Sequence, residues 1–514
     1  MKALASRSSL LAWIATGVIA ALAVWLRARN LTAAPFWLDE AYSAFGADKG
    51  YHFIWHILPS YETHPPFYSA ALRTWTLIAG NSIGGFRAFG LVAGLLLLPV
   101  LWMAGREIEK GLAQKALTIA IPALALAAVL PAFVDTARLV RPYYLLTLAY
   151  AGTTWALLRL SRVYRESGTI DRGGWIGYLV GIAFLPWLHN LGALYVAAAG
   201  LALLALMGPV DFLRAYWKRF ILGHLLVALA ILPAFLILLD QAPTWAGSTW
   251  LRFNPASLLD DVLLIFGLPG LFGLAAAIIL GGYAFASAPG SRVPAALLLM
   301  ALMPMALALV LTLAIAPVFL PRTLVASGAP LVLLIAAGAN RTFMTRAIFA
   351  LLVVLAFVRV VRVQELPPPE NWYGVVRWLA PRIQPGDRVY AYPNEGALPL
   401  RYALRDLGAK AEVRQIPSEI PARDPAGWYA TGSRGVQSLP PWRLEQIAQD
   451  PTSKKTPTIW LLRLAPGLYD RNDAFFNILK RDRTVTARFR ENAIDLVGLK
   501  LASEPAAPPE KAKP

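Results

Sequence analysis

Two carboxylates stand side by side in Phe36-Trp37-Leu38-Asp39-Glu40-Ala41-Tyr42, just past the first hydrophobic run. The same connection carries a third acid and a histidine in Tyr61-Glu62-Thr63-His64-Pro65-Pro66-Phe67-Tyr68. Acids kept next to hydrocarbon are costly unless they have partners or work. A carboxylate in such a place can take the proton of a hydroxyl as that oxygen forms a bond. Adjacent residues on a helix point about 100° apart, so at most one of Asp39 and Glu40 faces a given site fully. The plainer use of the pair is to dress a helix N-terminus. The two prolines, plainly a rigid lead into the next helix, also fix the height of Glu62 and His64, as a site requires.

Arginines complete the set. Arg87 opens the second hydrophobic run. Arg138 and Arg141 precede the fourth in Arg138-Leu139-Val140-Arg141-Pro142-Tyr143-Tyr144, and Arg322 opens the tenth. One arginine at a membrane face is most simply snorkelling. Several on one charge-poor face fit an anionic lipid phosphate, because the guanidinium fork matches phosphate oxygens. His189-Asn190 divides the run 175–208, and His189 is read as a turn residue that satisfies the backbone, donates to substrate or ligates a metal. Trp37, Trp55, Trp75, Trp245 and Trp250 fit an interfacial belt.

These residues must be positioned by membrane helices. Of 514 residues, 57% are hydrophobic and 15% charged, more apolar surface than a soluble fold buries. Apolar runs fall at 9–26, 87–104, 116–133, 143–160, 175–188, 191–208, 220–240, 262–283, 294–314, 323–338 and 345–362. They predict an all-α polytopic bundle of about eleven transmembrane helices. Cysteine is absent, which excludes a disulfide framework, thiolate metal sites and a cysteine nucleophile. The net charge of +18 is better explained by basic cytoplasmic loops than by nucleic acid.

One set of connections carries Lys2, Arg7, Arg106, Lys110, Lys115, Arg159, Arg162, Arg165, Arg172, Arg214, Lys218, Arg219, Arg292, Arg341 and Arg346, and the other set is poorer in Lys and Arg. The rich set is cytoplasmic, so the N-terminus is inside and the C-terminal region outside. The first run is read as a span rather than a cleaved signal. Pro66–Gly80 is apolar, but counting it as a span would invert every later loop. It is read as a juxtamembrane helix inside the first extracytoplasmic loop, 28–86.

The chain thus divides into a transmembrane domain, 1–363, and a small extracytoplasmic α/β domain, 364–502. The latter follows a Pro-rich linker. Helices are predicted at Trp372–Ile383, 396–407 and Asn472–Leu479, and strands at Arg388–Tyr392 and Thr458–Leu462. It holds no G-x-G-x-x-G. The tail 503–514 reads as disordered.

Asp39-Glu40 after the first run, Glu62-x-His64-Pro65-Pro66 in the same loop, Arg87, and Arg141-Pro142-Tyr143 together resemble the GT-C glycosyltransferases. The likeness is to the protein O-mannosyltransferase type and to bacterial relatives that modify lipid A and lipopolysaccharide, including aminoarabinose transferase-like enzymes. It covers roughly 10–340. Where many relatives carry Gln-Glu-Ala before the arginine, Arg138-Leu139-Val140 stands here, and Asp135 lies nearby.

The resemblance implies transfer of a sugar from a polyprenyl-phosphate donor to a hydroxyl of a glycan, lipid or protein acceptor of the cell envelope. The expected place is the outer face of a bacterial-type inner membrane. Asp39 is the implied general base, with Glu40 or Glu62 holding acceptor or donor. Substrate-binding roles are expected for Glu62, His64, Arg87, Arg138, Arg141, Tyr143, His189 and Arg322. No obligatory metal is expected, although some relatives use a divalent ion. Membrane lipids are partners and nucleic acid is not. The competing readings are a flippase for an anionic polyprenyl lipid, which would favour broken helices and mid-membrane charges, a non-catalytic assembly subunit, and a ligase or polymerase with its site in a later loop.

Overall fold

The computed structural model describes residues 2–62, 64–112, 117–248, 251–421 and 439–502, so the tail at 503–514 lies outside the described residues. By packing, the chain forms two units. The first comprises Met1–Leu31 and Ala47–Leu366, the second Thr32–Gly46 and Pro367–Pro514.

Among the described residues every predicted apolar run overlaps one or more helices. In chain order these are α1 (Lys2–Ala28), α2 (Leu38–Asp48), α3 (Phe67–Ala79), α4 (Ile83–Gly111), α5 (Ala120–Val129) and α6 (Pro131–Thr136). Then come α7 (Tyr143–Ser167), α8 (Arg172–Leu188), α9 (Gly192–Met207), α10 (Pro209–Ser248), α11 (Leu258–Phe266) and α12 (Gly270–Ala286). The first unit ends with α13 (Val293–Ala314), α14 (Pro321–Leu324), α15 (Gly328–Ala339) and α16 (Phe343–Val363). Among the described residues six helices are long and apolar enough to cross a membrane, or seven if the bent pair 255–266 and 270–286 is one span. The chain is an integral membrane protein of mostly helical architecture.

Sequence chemistry explains where the helices begin and end. The second run starts at Ile83 rather than Arg87, because Ser82 caps it: its hydroxyl accepts the Gly85 amide at 3.1 Å. The third run stops at Val129, because Pro131 cannot continue the hydrogen-bond ladder. The carbonyls freed there are met by the buried Arg27, which donates to Ala127 and Ala128 at 3.0 and 2.9 Å. The run 262–283 is broken by 65° between α11 and α12, where Gly267 takes φ +62 ahead of Leu268-Pro269. The turn at 189–191 separates α8 from α9. A Cβ on Gly192 would lie 2.2 Å from the Leu185 carbonyl, so only glycine lets the two helices turn this tightly.

Pro66–Gly80 does form a helix, α3, and its aromatic side chains dock it. The Trp75 indole donates to the Gly85 carbonyl at 2.8 Å, Phe67 meets Phe184 edge-on at 4.7 Å, and Tyr68 packs with Phe89 and Tyr144. This fixes the Pro65-Pro66 step and His64 before it.

The second unit contains α17 (Trp372–Leu379), β1 (Arg388–Tyr392), α18 (Ala397–Asp406), β2 (Glu412–Gln415), α19 (Pro441–Gln449), α20 (Pro451–Lys455) and β3 (Thr458–Leu464). It closes with α21 (Pro466–Tyr469), α22 (Ala474–Lys480), β4 (Arg483–Glu491) and β5 (Ile494–Leu501). The sheet runs β2-β1-β3-β5-β4, parallel among its first three strands and antiparallel for the last two. One face buries Trp372, Val376 and Leu400, the other Tyr390, Ile459 and Phe475. The predicted strand at Arg388 matches β1. The β4–β5 hairpin escaped prediction, because β4 reads Arg-Thr-Val-Thr-Ala-Arg-Phe-Arg-Glu, with a largely exposed charged face and little apolar signal.

The segment 32–46 belongs to this second unit. Leu38 packs against the core around Trp372, and Phe36 meets Tyr402 edge-on at 5.2 Å.

Candidate active site

In the first unit the Pro65-Pro66 step and the α8–α9 turn bring three residues into series. His64 Nδ1 lies 2.7 Å from Glu62 Oε1, and His64 Nε2 lies 3.1 Å from His189 Nε2. The Leu191 amide donates to His189 Nδ1 at 3.1 Å. That last bond sets the tautomers. His189 Nδ1 accepts, so neutral His189 carries its proton on Nε2 and donates to His64 Nε2. His64 then holds its proton on Nδ1 and donates to Glu62. The bonds therefore run one way, from a backbone amide through two imidazoles to a carboxylate.

Glu62 and His189 are buried, and His64 is partly exposed. Burial first, and then His64, Arg141 and Arg322, hold the His189 imidazole well below its ordinary pKa, with Glu62 offsetting part of this. His189 is thus a neutral hydrogen-bonding group among cations.

Tyr143, the first residue of α7, joins the cations to this array. Its hydroxyl accepts from Arg322 Nε at 3.1 Å, the Arg141 guanidinium lies 5.8 Å from its ring centroid, and its ring lies 6.0 Å from that of His189. Six predicted residues, Glu62, His64, Arg141, Tyr143, His189 and Arg322, therefore form one cluster at the start of α7 and α9. Two guanidinium groups and two helix N-termini at one place suit a phosphate.

Arg87 and Arg138 are engaged at the end of α1. Arg87 donates to the Leu31 carbonyl at 2.8 Å, and Arg138 donates to those of Leu26 and Asn30 at 3.2 and 3.3 Å. They anchor the chain where it leaves the first helix. Asp135 shares the surroundings of Arg27, Arg138 and Arg359.

Asp39 and Glu40 sit in the first turn of α2, in the second unit; Glu40 is fully buried and Asp39 partly exposed. Glu370 caps this helix, accepting the Leu38 amide at 3.0 Å and the Trp372 indole at 2.7 Å. Burial, with Asp39 and Glu40 adding to it, holds the Glu370 carboxyl above the usual range. Sequence reasoning missed Glu370, and its only signal was a lone acid after three prolines. It also missed the Leu191 amide, which no side-chain pattern reveals. Among the described residues no group of three or more His, Asp or Glu side chains forms a metal-ligating set.

No family model and no curated protein matches the sequence. Solved structures do share the fold. ArnT from Cupriavidus metallidurans in the apo state aligns with a TM-score of 0.62 over 95% of this chain and 98% of that one, at 14% identity. The same protein bound to undecaprenyl phosphate gives 0.60 over 96% and 98%, at 14% identity. Archaeal oligosaccharyltransferase AglB from Archaeoglobus fulgidus, in complex with an inhibitory peptide and a dolichol-phosphate, gives 0.52 over 95% and 74%, at 11% identity.

The chain shares the fold of these structures over nearly its whole length. At this level of identity the architecture alone is shared, and the chemistry of the site has to be argued from the residues present.

Proposed function

We propose that this protein is an integral-membrane glycosyltransferase that moves a sugar from a polyprenyl-phosphate donor to a hydroxyl of an envelope glycan, lipid or protein. The reading places the reaction on the outer face of a bacterial-type inner membrane, with eleven crossings and the N-terminus inside. The observation that carries it is the cluster of Arg141, Arg322 and Tyr143 beside neutral His189, which offers two guanidinium donors and a phenol hydroxyl together at the start of α7 and α9.

In this proposal Asp39 takes the acceptor proton as the acceptor oxygen attacks the anomeric carbon. The bond from that carbon to the phosphate oxygen breaks, its electron pair stays on the phosphate, and the anomeric centre inverts. Negative charge grows on the leaving oxygen, where guanidinium groups in thin solvent stabilise it. Glu40 supports the helix that carries Asp39. The Leu191 amide fixes the tautomer of His189, whose ring is held in place by its bond to His64 and, through His64, by Glu62, and Arg87 and Arg138 steady the chain after α1.

The test is transfer by purified protein in lipid bilayers, given a polyprenyl-phosphate sugar and candidate acceptors. Asp39→Asn should lower the rate by roughly 10²–10⁴-fold. Transfer as fast as wild type would reject Asp39 as base. The bend between α11 and α12 is a feature that transporters share. Movement of the lipid between leaflets with no glycosidic bond changed would decide for that reading.

A further inference from the structure

A cavity opens in the first unit, far along α7 from the histidine array. Its walls are Ser161, Tyr164 and Arg165 of α7, Leu206 and Met207 of α9, and Arg292 and Val293 at the start of α13. It measures about 190 Å³. At 1.5 Å per residue, Ser161 lies about 27 Å along α7 from Tyr143. That is close to the roughly 30 Å of a bilayer core, so the two sites face opposite leaflets.

The charge around this cavity is unbalanced. Neighbouring cations are neutralised: Arg106 pairs with Glu109, Lys110 and Arg162 with Glu107, and Arg159 with Asp171. Among the described residues Arg165 and Arg292 pair with no carboxylate. Both guanidinium groups rest on glycine at helix ends. A Cβ on Gly111, the last residue of α4, would lie 2.9 Å from Arg165 Nη2, and one on Gly208, after α9, would lie 2.7 Å from Arg292 Nη1. Helix C-termini hold cations in place without cancelling their charge. In the same lining the Ser161 hydroxyl is buried with no hydrogen-bond partner among the described residues. Leu206, Met207 and Val293 supply an apolar wall.

We propose that this cavity binds the phosphate headgroup of an anionic phospholipid, in the leaflet opposite the Glu62–His64–His189 array. Two guanidinium forks and a free hydroxyl donor match phosphate oxygens, and the apolar wall suits the attached acyl chains. A soluble phosphate would gain nothing from that wall.

The experiment is native mass spectrometry of the full chain, with equal amounts of dioleoylphosphatidylglycerol and dioleoylphosphatidylcholine added in detergent. Wild type should retain the glycerol lipid over the choline lipid by roughly tenfold. The double variant Arg165→Gln/Arg292→Gln should lose that preference, while Arg165→Lys/Arg292→Lys keeps part of it. A control, Arg214→Gln/Arg219→Gln, should behave as wild type. The proposal is overturned if wild type shows no preference, or if the control loses it equally. It is also overturned if inorganic phosphate at the same concentration displaces the glycerol lipid, which would mark a free-anion site.

Discussion

Glu370 accepts the backbone amide of Leu38 at 3.0 Å, across 332 residues of sequence. The carboxylate thereby caps the helix whose first turn carries Asp39 and Glu40. If Asp39 is the base, Glu370 is a positioning residue that sets its direction. Glu370→Ala should lower kcat by about tenfold with the protein folded, since losing a charged cap costs about 1–2 kcal/mol. Glu370→Gln should restore part of it. The fold also favours the protonated carboxyl, so the associated stability is present at low pH and lost as pH rises through the raised pKa. Thermal unfolding of Glu370→Gln across pH 4–8 should lack that decline. An unchanged kcat and an unchanged pH profile would remove Glu370 from the machinery.

The Glu62–His64–His189 series should act as a unit. His64→Ala breaks both side-chain bonds and should destabilise the protein by about 1–3 kcal/mol. A double-mutant cycle of His64→Ala with Glu62→Gln, read by thermal unfolding in detergent, should give a coupling of about 0.5 kcal/mol or more. Additive effects would mean that the two residues are independent.

His189 predicts an acid limb. Its imidazole stays neutral in the fold well below its ordinary pKa, because it is buried next to His64, Arg141 and Arg322. The unfolded chain binds that proton below about pH 6.5 and the folded chain does not. Stability from this source is therefore present above pH 6.5 and lost as pH falls, by up to about 1.4 kcal/mol per unit. Melting temperatures between pH 5 and 8 should show the loss in wild type and a shallower one in His189→Gln.

Tyr143→Phe removes the acceptor for Arg322 Nε and leaves the ring in place. The net worth of such a bond is about 0.5–1.5 kcal/mol. The donor KM should rise about three- to tenfold, with kcat changed less. Arg322→Ala should cost more on both. Wild-type kinetics in Tyr143→Phe would dissociate this pair from donor binding.

Arg463 tests the second unit alone. It is buried among Asp470, Asp473 and Asp495, and Arg488 bonds Asp495 as well. Arg463→Ala leaves buried carboxylates without their cation and should destabilise this unit by about 3–5 kcal/mol. Limited proteolysis should then cut within 367–502 first.

What the amino-acid sequence determined by itself was whatever depends on local periodicity and composition. Apolar runs long enough for helices are legible because hydrophobicity recurs along one chain segment. The turn at His189 acts on its own neighbours, so that helix break follows from residue type; Ser82 and Pro131 act just as locally, but a count of apolar residues passes over both. The acids and arginines of the candidate site were legible because charge beside hydrocarbon stands out. Tertiary structure decided who meets whom. His64 faces His189 across 125 residues, Arg138 donates to carbonyls at the end of α1, and Glu370 caps Leu38 from the far end of the chain. Such pairings arise from packing between distant segments, which leave no period in the sequence. It also decided that 32–46, carrying Asp39 and Glu40, packs with the C-terminal sheet, because Phe36 and Leu38 find apolar partners there.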